Sequence, residues 1–437
     1  MKVLPPDQMT SCVRAPLARW SKIMTETRRV GVFHPGTQHS WQTARALRDS
    51  GLLEWYATTI YYDRRRWPYK IEGYLPEALS KKAHREFGRF FHPDLNPQQV
   101  RTFGLYQWAA RMAARAGWSR FADILFSKSH STFAEKMVDL IKTNPIDAVW
   151  GYDTAALETF EFCRPEGIDC ILDCTIGHPR VYNRIISEAY ENYPEFFSTH
   201  SLISAREIDR KDRELELADQ VVVGSEFCGR TLAEGYQGVG AIREKIKVID
   251  YCFDDRFFDL GAAPISRPVQ HPISFIFVGQ AGPRKGLHLL LKAFDRIPRS
   301  AASLTVVGNL LVPQNVFAPY AERVRHVGGV PRSEVREFMT NADCMIFPSL
   351  FEGSALAVYE ALACGLGIIQ SENTGIVIDE NTGIVLPSLT EEAVYKAIMT
   401  VVEDPYTLMS WRTNSSARAA NYTYSQYRDA VCEVLTH

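Results

Sequence analysis

Two carboxylates, Glu352 and Glu360, stand eight positions apart in "FPSLFEGSALAVYEALACG", from Phe347 to Gly365. The stretch reads as a strand, "CMIFPS", then a small-residue turn and a helix beginning near Ser354. Such a helix start offers the N–H groups of Gly353, Ser354, Ala355, Leu356 and Ala357 and a positive dipole end, which together attract an anion. Gly353, Ser354 and Ala355 are small enough to let a ligand come close. Ionised carboxylates only accept hydrogen bonds, so beside a phosphate their useful partners are hydroxyls. Glu360 falls roughly 9 Å along the helix. A sugar–pyrophosphate–nucleoside carries hydroxyls at both ends and charge in its middle. In that ligand Glu352 would hold the sugar hydroxyls, the amides the phosphate, and Glu360 the ribose diol. Taken alone, the pair also fits a loop acid with an exposed helix acid, or the two carboxylates of a glycoside hydrolase.

A second anion element precedes the first. "FVGQAGPRKG" puts Arg284, Lys285 and Gly286 after a strand and at the start of a helix. Lys285 would supply the cation that a pyrophosphate leaving group needs, with Arg284 assisting. No GxxxxGK[ST] is present, which excludes a P-loop, and no strand runs into GxGxxG, which argues against a nicotinamide site.

The elements that must position these residues alternate. "RRVGVFHPG", "TTIYYD", "IDAVWGYD", "IDCILDCT", "ADQVVVGSEF" and "KIKVIDYCFD" read as strands of one parallel sheet. A Pro- and Gly-rich segment follows. Then "ISFIFVGQ", "SLTVVGN", "CMIFPS", "LGIIQS" and "GIVLP" alternate with helical runs. "NTGIV" occurs twice, at Asn373 and Asn381, and reads as two short strands with similar turns. The expected division is a leader at 1–28, an α/β domain at 29–255, a linker at 256–272, a second α/β domain at 273–415, and a terminal helical segment at 416–437 that packs back on the first domain. The 437 residues suffice for two cores, at 46% hydrophobic and 23% charged. A net charge of −2 gives no nucleic-acid bias. Nine irregularly spaced cysteines without CxxC read as buried thiols of a reducing compartment rather than a disulfide or zinc framework. No signal-like apolar segment and no run of about 18 apolar residues occurs, so any membrane role would be peripheral.

At these motifs the chain resembles the GT-B glycosyltransferases, and within them the large retaining group often called family 4. "VGQAGPRKGLHLLLKAF", "VVGN", "GGVPRSEVREFMTNADCMIFPSLFEGSALAVYEALACGLGIIQS" and "NTGIVLP" carry the resemblance across the C-terminal half. It implies two Rossmann-like doubly wound domains facing across a cleft. The C-terminal one would take a UDP-, GDP- or ADP-sugar, the N-terminal one an acceptor that is a glycan, lipid-linked or a small molecule. A hexosyl group would move with retained configuration and without an obligatory metal, in polysaccharide or glycoconjugate synthesis. Glu352 matches the donor-sugar glutamate, Glu360 the ribose glutamate and Lys285 the pyrophosphate lysine. Gln280 stands where the family has an arginine, and Cys252 and Phe253 interrupt a segment that usually holds glycine. His178, in "ILDCTIGHPR", resembles the active-site histidine that faces the transferred sugar. Gly36, in "HPGTQHS", matches the flexible turn near donor phosphates, with His34 and His39 as weaker candidates.

Two rivals share the scaffold: a nucleotide-sugar epimerase, which would need no acceptor, and a transfer-inactive nucleotide-sugar-binding scaffold protein. The basic aromatic stretch from Arg64 to Phe91, with Trp67, Tyr69, Phe87 and Phe90, suits a membrane interface. It fits equally a solvated, locally charge-balanced insertion. The cysteine usage and the lack of a signal-like segment suggest the cytoplasm, with contact at the inner face of the membrane as an open alternative.

Overall fold

The computed structural model describes residues 28–436 except 37–38, 68, 89, 91, 116, 200, 259 and 261–267. The expected leader at 1–28, apart from Arg28, and half of the expected linker lie outside the described residues.

Two parallel sheets form in sequence. The first contains β1 (Val30–Phe33), β2 (Leu53–Thr58), β3 (Val100–Thr102), β4 (Ala148–Tyr152), β5 (Asp169–Cys174), β6 (Gln220–Val223) and β7 (Ile246–Val248), in the order β3-β2-β1-β4-β5-β6-β7. The second contains β8 (Ile273–Val278), β9 (Ala302–Val307), β10 (Val324–Gly328), β11 (Cys344–Phe347), β12 (Gly367–Ser371) and β13 (Gly383–Leu386), in the order β10-β9-β8-β11-β12-β13. Apolar residues run without alternation through the central strands, as "VGVF" and "CMIF" show, because helices cover both faces. Chain order reverses between β1 and β4 in one sheet and between β8 and β11 in the other. In doubly wound sheets a ligand sits beyond the strand ends at such a reversal. The loops after β1, β8 and β11 carry Gly36, Gln280 to Lys285, and Glu352.

Several expected elements shift. The second strand is "LEWYAT"; "TTIYYD" mostly leaves its far end. Only the second "NTGIV" is a strand, since Glu372–Thr374 makes a 3-10 turn. Two antiparallel helices, Leu105–Arg115 and Ser119–Thr143, were not anticipated. Of the aromatic residues expected at a membrane interface, Tyr69 and Phe90 are buried, and Phe87 packs with them beside Tyr62 and Trp108. Their burial stabilises the insertion itself, and of these four Trp67 alone stands out to solvent, with Tyr74 beside them also exposed.

The domains touch closely. The terminal helix Tyr424–Val434 packs on Ser40–Asp49, where the hydroxyls of Tyr427 and Thr43 lie 2.8 Å apart. Phe351, from the loop after β11, is fully buried against Tyr182, Val181 and Phe227 of the first domain. The Ser225 hydroxyl caps the helix Glu226–Gly235 and also donates to the Gly353 carbonyl.

Candidate active site at the interdomain cleft

Residues 279–286 and 348–354 form one unit. Leu350 N–H donates to the Arg284 carbonyl at 2.8 Å, and the Ser349 Oγ lies 3.1 Å from the same oxygen. Gly286 makes this possible: its φ is +72°, and a Cβ there would stand 1.9 Å from the Pro348 carbonyl oxygen. That accounts for the glycine of "RKG".

Three donors converge on Glu352. Arg284 Nη1 lies 2.9 Å from Oε1, Ser349 Oγ lies 2.9 Å from the same oxygen, and Lys285 Nζ pairs with it closely. Lys285 also lies over the Phe347 ring, 5.0 Å from its centroid. Burial lowers the Lys285 pKa, and Glu352 offsets part of that effect. The sequence assigned the acid to sugar and the cations to phosphate as separate contacts. The structure joins them in one ion-paired cluster.

Glu360 is not on an exposed face. It is buried, and desolvation raises its pKa while Arg332 opposes the shift. Arg332 Nη2 pairs with Oε1 at 2.6 Å. The same guanidinium lies 3.9 Å from Asp254, a buried residue of the segment leaving the first domain. Arg256 makes a two-nitrogen contact with Asp254 at 2.6 and 2.8 Å. Sequence reasoning missed Arg332, Asp254 and Ser349. The only signal for Arg332 was its place after a proline at a helix start, which also suits a solvated residue. Cys252 and Phe253 enter the core, where Gln42 Nε2 lies 3.6 Å from the Cys252 sulfur.

The turn between the acids is partly occupied. The helix begins at Leu356, not Ser354. Ala355 N–H already donates to the Thr374 carbonyl at 2.9 Å, so it is no longer a free anion donor. The Ser354 and Tyr359 hydroxyls are 2.8 Å apart. Gly353 does leave room, but for the other domain: a Cβ there would lie 2.0 Å from the Thr175 carbonyl oxygen. Leu356 and Ala357, in the first helical turn, retain the expected position for amide donors. Gln280 is exposed in the loop after β8. Gly36 follows β1, and its N–H donates to His34 Nδ1 at 2.9 Å.

His178, expected to face the transferred sugar, is buried, its side chain 0% exposed. It caps the helix Pro179–Asn192, with Nδ1 accepting from Arg180 N–H at 3.2 Å. Nε2 lies 3.0 Å from Asp212 Oδ1, and Gly235 packs against the ring. Burial lowers its pKa to about 4 despite Asp212. With both nitrogens engaged, this side chain has no free atom for a sugar in the observed arrangement.

Residues 264–423 match the family described as glycosyl transferases group 1. Over those residues the C-terminal domain is similar to the group 1 glycosyl transferases. An O-antigen chain mannosyltransferase B of Escherichia coli is 26% identical over 153 residues, covering 33% of this chain and 39% of that protein. The match therefore spans well under half of that relative. Sucrose-phosphate synthase of Thermosynechococcus elongatus superposes with a TM-score of 0.65 at 18% identity, covering 94% of this chain and 98% of the other. Anabaena HepE in complex with UDP-glucose gives a TM-score of 0.59 at 13% identity, covering 94% and 99%. These likenesses establish a GT-B fold across both domains.

Proposed function

We propose that this protein transfers a hexosyl group, with retention, from a nucleotide-diphosphate sugar to an acceptor hydroxyl. The observation that carries the reading is the convergence of Lys285, Arg284 and Ser349 on Glu352 at the reversal point of a group 1 glycosyl transferase domain. The three interactions all use Oε1, which leaves Oε2 for a sugar hydroxyl. Glu360 would take the ribose diol by exchanging its Arg332 contact. The bond from the anomeric carbon to the phosphate oxygen breaks, and a bond to the acceptor oxygen forms on the same face. The acceptor proton passes to the departing phosphate oxygen. Lys285, Arg284 and the first-turn amides stabilise the charge that develops there, so this reading calls for no resident metal. Contact between Gly353 and Thr175 would exclude water and favour transfer over hydrolysis.

Thermal-shift titration with UDP, GDP and ADP tests the site. The cognate diphosphate should stabilise the fold by about 2.7 kcal/mol at a hundredfold excess over Kd. No shift with any of the three would end the reading. UDP-glucose bound to the Anabaena neighbour makes UDP-sugars the first donors to try. Turnover of donor to a second donor without acceptor would favour the epimerase, and binding without transfer the scaffold.

The acceptor side points to an anionic membrane surface, in the cytoplasmic setting proposed for polysaccharide or glycoconjugate synthesis. Residues 64–130 hold 13 Lys and Arg against 5 Asp and Glu, a net +8 in a chain whose total is −2. Ten of the 17 exposed large hydrophobic residues described fall in the same segment, among them Trp67, Tyr74, Trp118, Phe121 and Ile124. A cavity of about 470 Å³ there is lined by Arg64, Lys70 and Glu72. Basic charge and exposed aromatic residues together suit an anionic bilayer. Among the described residues no helix is long and apolar enough to cross a membrane. Flotation with phosphatidylglycerol vesicles, lost in Trp118→Glu/Phe121→Glu, is expected; a wild-type protein that stays at the bottom of the gradient refutes the contact.

A further inference from the structure

His39 occupies the N-cap position of the helix Ser40–Asp49, yet its side chain makes no capping bond. The ring is buried between Tyr152 and Tyr251, 5.2 and 4.4 Å from their centroids. Its Nε2 lies 3.3 Å from Asp173 Oδ1, and neither atom has a hydrogen-bond partner. The Tyr251 hydroxyl is also buried without one. The surrounding groups are satisfied: Asp173 Oδ2 accepts from Trp150 Nε1 at 3.1 Å, and the Tyr152 and Thr43 hydroxyls are 2.7 Å apart. Thus a His39–Asp173 couple in contact at 3.3 Å but without a hydrogen bond, and an unpartnered Tyr251 hydroxyl, belong to one buried cluster. Leaving such groups buried and unpaired costs about 1–3 kcal/mol each, so in native proteins they have partners.

Their place in the fold limits what the partner is. His39 follows the loop after β1, and Asp173 lies near the end of β5, so the two flank the β4 strand end at the chain reversal of the first sheet. Tyr251 reaches the opposite domain: its Cζ and the Ser354 Cβ are each 2.8 Å from the Cβ position of Gly224. Tyr251 thereby links the cluster to the turn between Glu352 and Glu360. A phosphate would be repelled by Asp173. A hydroxyl can donate to the carboxylate and accept from the imidazole or phenol.

We infer that His39, Asp173 and Tyr251 form the acceptor-hydroxyl site, binding a polyol such as a pyranoside when the domains part, with Asp173 positioning the His39 ring. The inference rests on the glycosyltransferase reading and adds to it the residues of the first domain that meet the acceptor. It also moves the histidine contact from His178 to His39.

Co-crystallisation of the full chain with methyl α-D-mannopyranoside or methyl α-D-glucopyranoside tests it without any nucleotide. The expected result is a pyranoside hydroxyl within hydrogen-bond reach of His39 Nε2 and Asp173 Oδ1, absent from crystals of His39→Gln. Ordered water alone bridging the three atoms, or a pyranoside bound elsewhere, overturns the site. A second measurement uses Tyr251→Phe, which removes one oxygen. With the cognate donor and a pyranoside acceptor, transfer should fall about tenfold through the acceptor KM, with nucleotide-diphosphate affinity preserved and Tm equal to or above that of wild type. Unchanged acceptor KM also counts against the site. Failure of the glycosyltransferase reading itself would show separately, as wild-type protein that binds no UDP, GDP or ADP.

Discussion

Two strand-to-helix corners face each other across the cleft and use their polar residues in opposite ways. In the corner after β5, His178 satisfies itself: one nitrogen caps its own helix and the other meets Asp212. In the corner after β11, Glu352 collects two cations and a hydroxyl on one carboxylate oxygen. The first arrangement spends its hydrogen-bonding capacity on holding the loop. The second concentrates charge that a ligand can redistribute. Both corners end in direct contact, Thr175 against Gly353, so the quiet one sets the distance at which the charged one works.

The comparison breaks most sharply at Glu352. Glu352→Gln keeps an oxygen for Ser349 but removes the charge, and transfer should fall about 100- to 1,000-fold. On the proposed reading Glu352 competes with phosphate for Lys285 and Arg284, so the same variant should bind nucleotide diphosphate at least as tightly as wild type. Calorimetry checks the second half, and weaker binding would show that the carboxylate organises the phosphate site rather than competing for it. Lys285→Ala should act in the reverse sense, lowering diphosphate affinity about 10- to 100-fold, as expected for loss of a charged hydrogen bond. Equal affinity would remove Lys285 from the phosphate site.

These residues were legible because each of their motifs joins a strand end to a helix start, and local chain geometry places such side chains. Glu352, Lys285 and the glycine of "RKG" needed no knowledge of distant packing. Arg332 and Asp254 escaped because their pairing joins the second domain to the end of the first, 78 positions apart in a sequence that offers no periodic signal for it. His178 misled for a related reason. A histidine before a proline at a strand end looks the same whether it points into a cleft or caps the following helix, and Gly235 and Asp212 on later helices decide between them. Two parallel α/β halves were legible from alternation and the doubly wound order from the resemblance, while β3, β10 and the paired helices Leu105–Arg115 and Ser119–Thr143 carry shorter or more mixed patterns.

Gly353→Ala addresses the contact between the corners. The added methyl would meet the Thr175 backbone, which cannot rotate away, so closure should cost about 1–3 kcal/mol. Transfer should fall about tenfold or more while diphosphate affinity stays near wild type, because the phosphate contacts lie within one domain. Small-angle scattering should show a larger radius of gyration for the variant. Loss of diphosphate binding in step with transfer would mean that the turn itself, not closure, had been damaged.

The smallest effect belongs to the quiet corner. Folded His178 has a pKa near 4, below its ordinary 6.5, because burial disfavours the charged ring. Above pH 6.5 neither the folded nor the unfolded state binds the proton, so the shift contributes nothing there. As pH falls from about 6.5 toward 4, the unfolded chain takes up a proton that the folded chain refuses, and stability declines. His34, lowered to about 4, and His92 and His288, lowered to about 3, add to the same decline. His178→Asn keeps a short capping side chain and should cost about 1 kcal/mol at pH 7.5 through the lost Asp212 contact. Between pH 6.5 and 4 its Tm should fall less steeply than that of wild type, with transfer at pH 7.5 within a few-fold. A variant that folds normally but loses transfer about 100-fold would instead return His178 to the reacting sugar, and the two corners would no longer differ in kind.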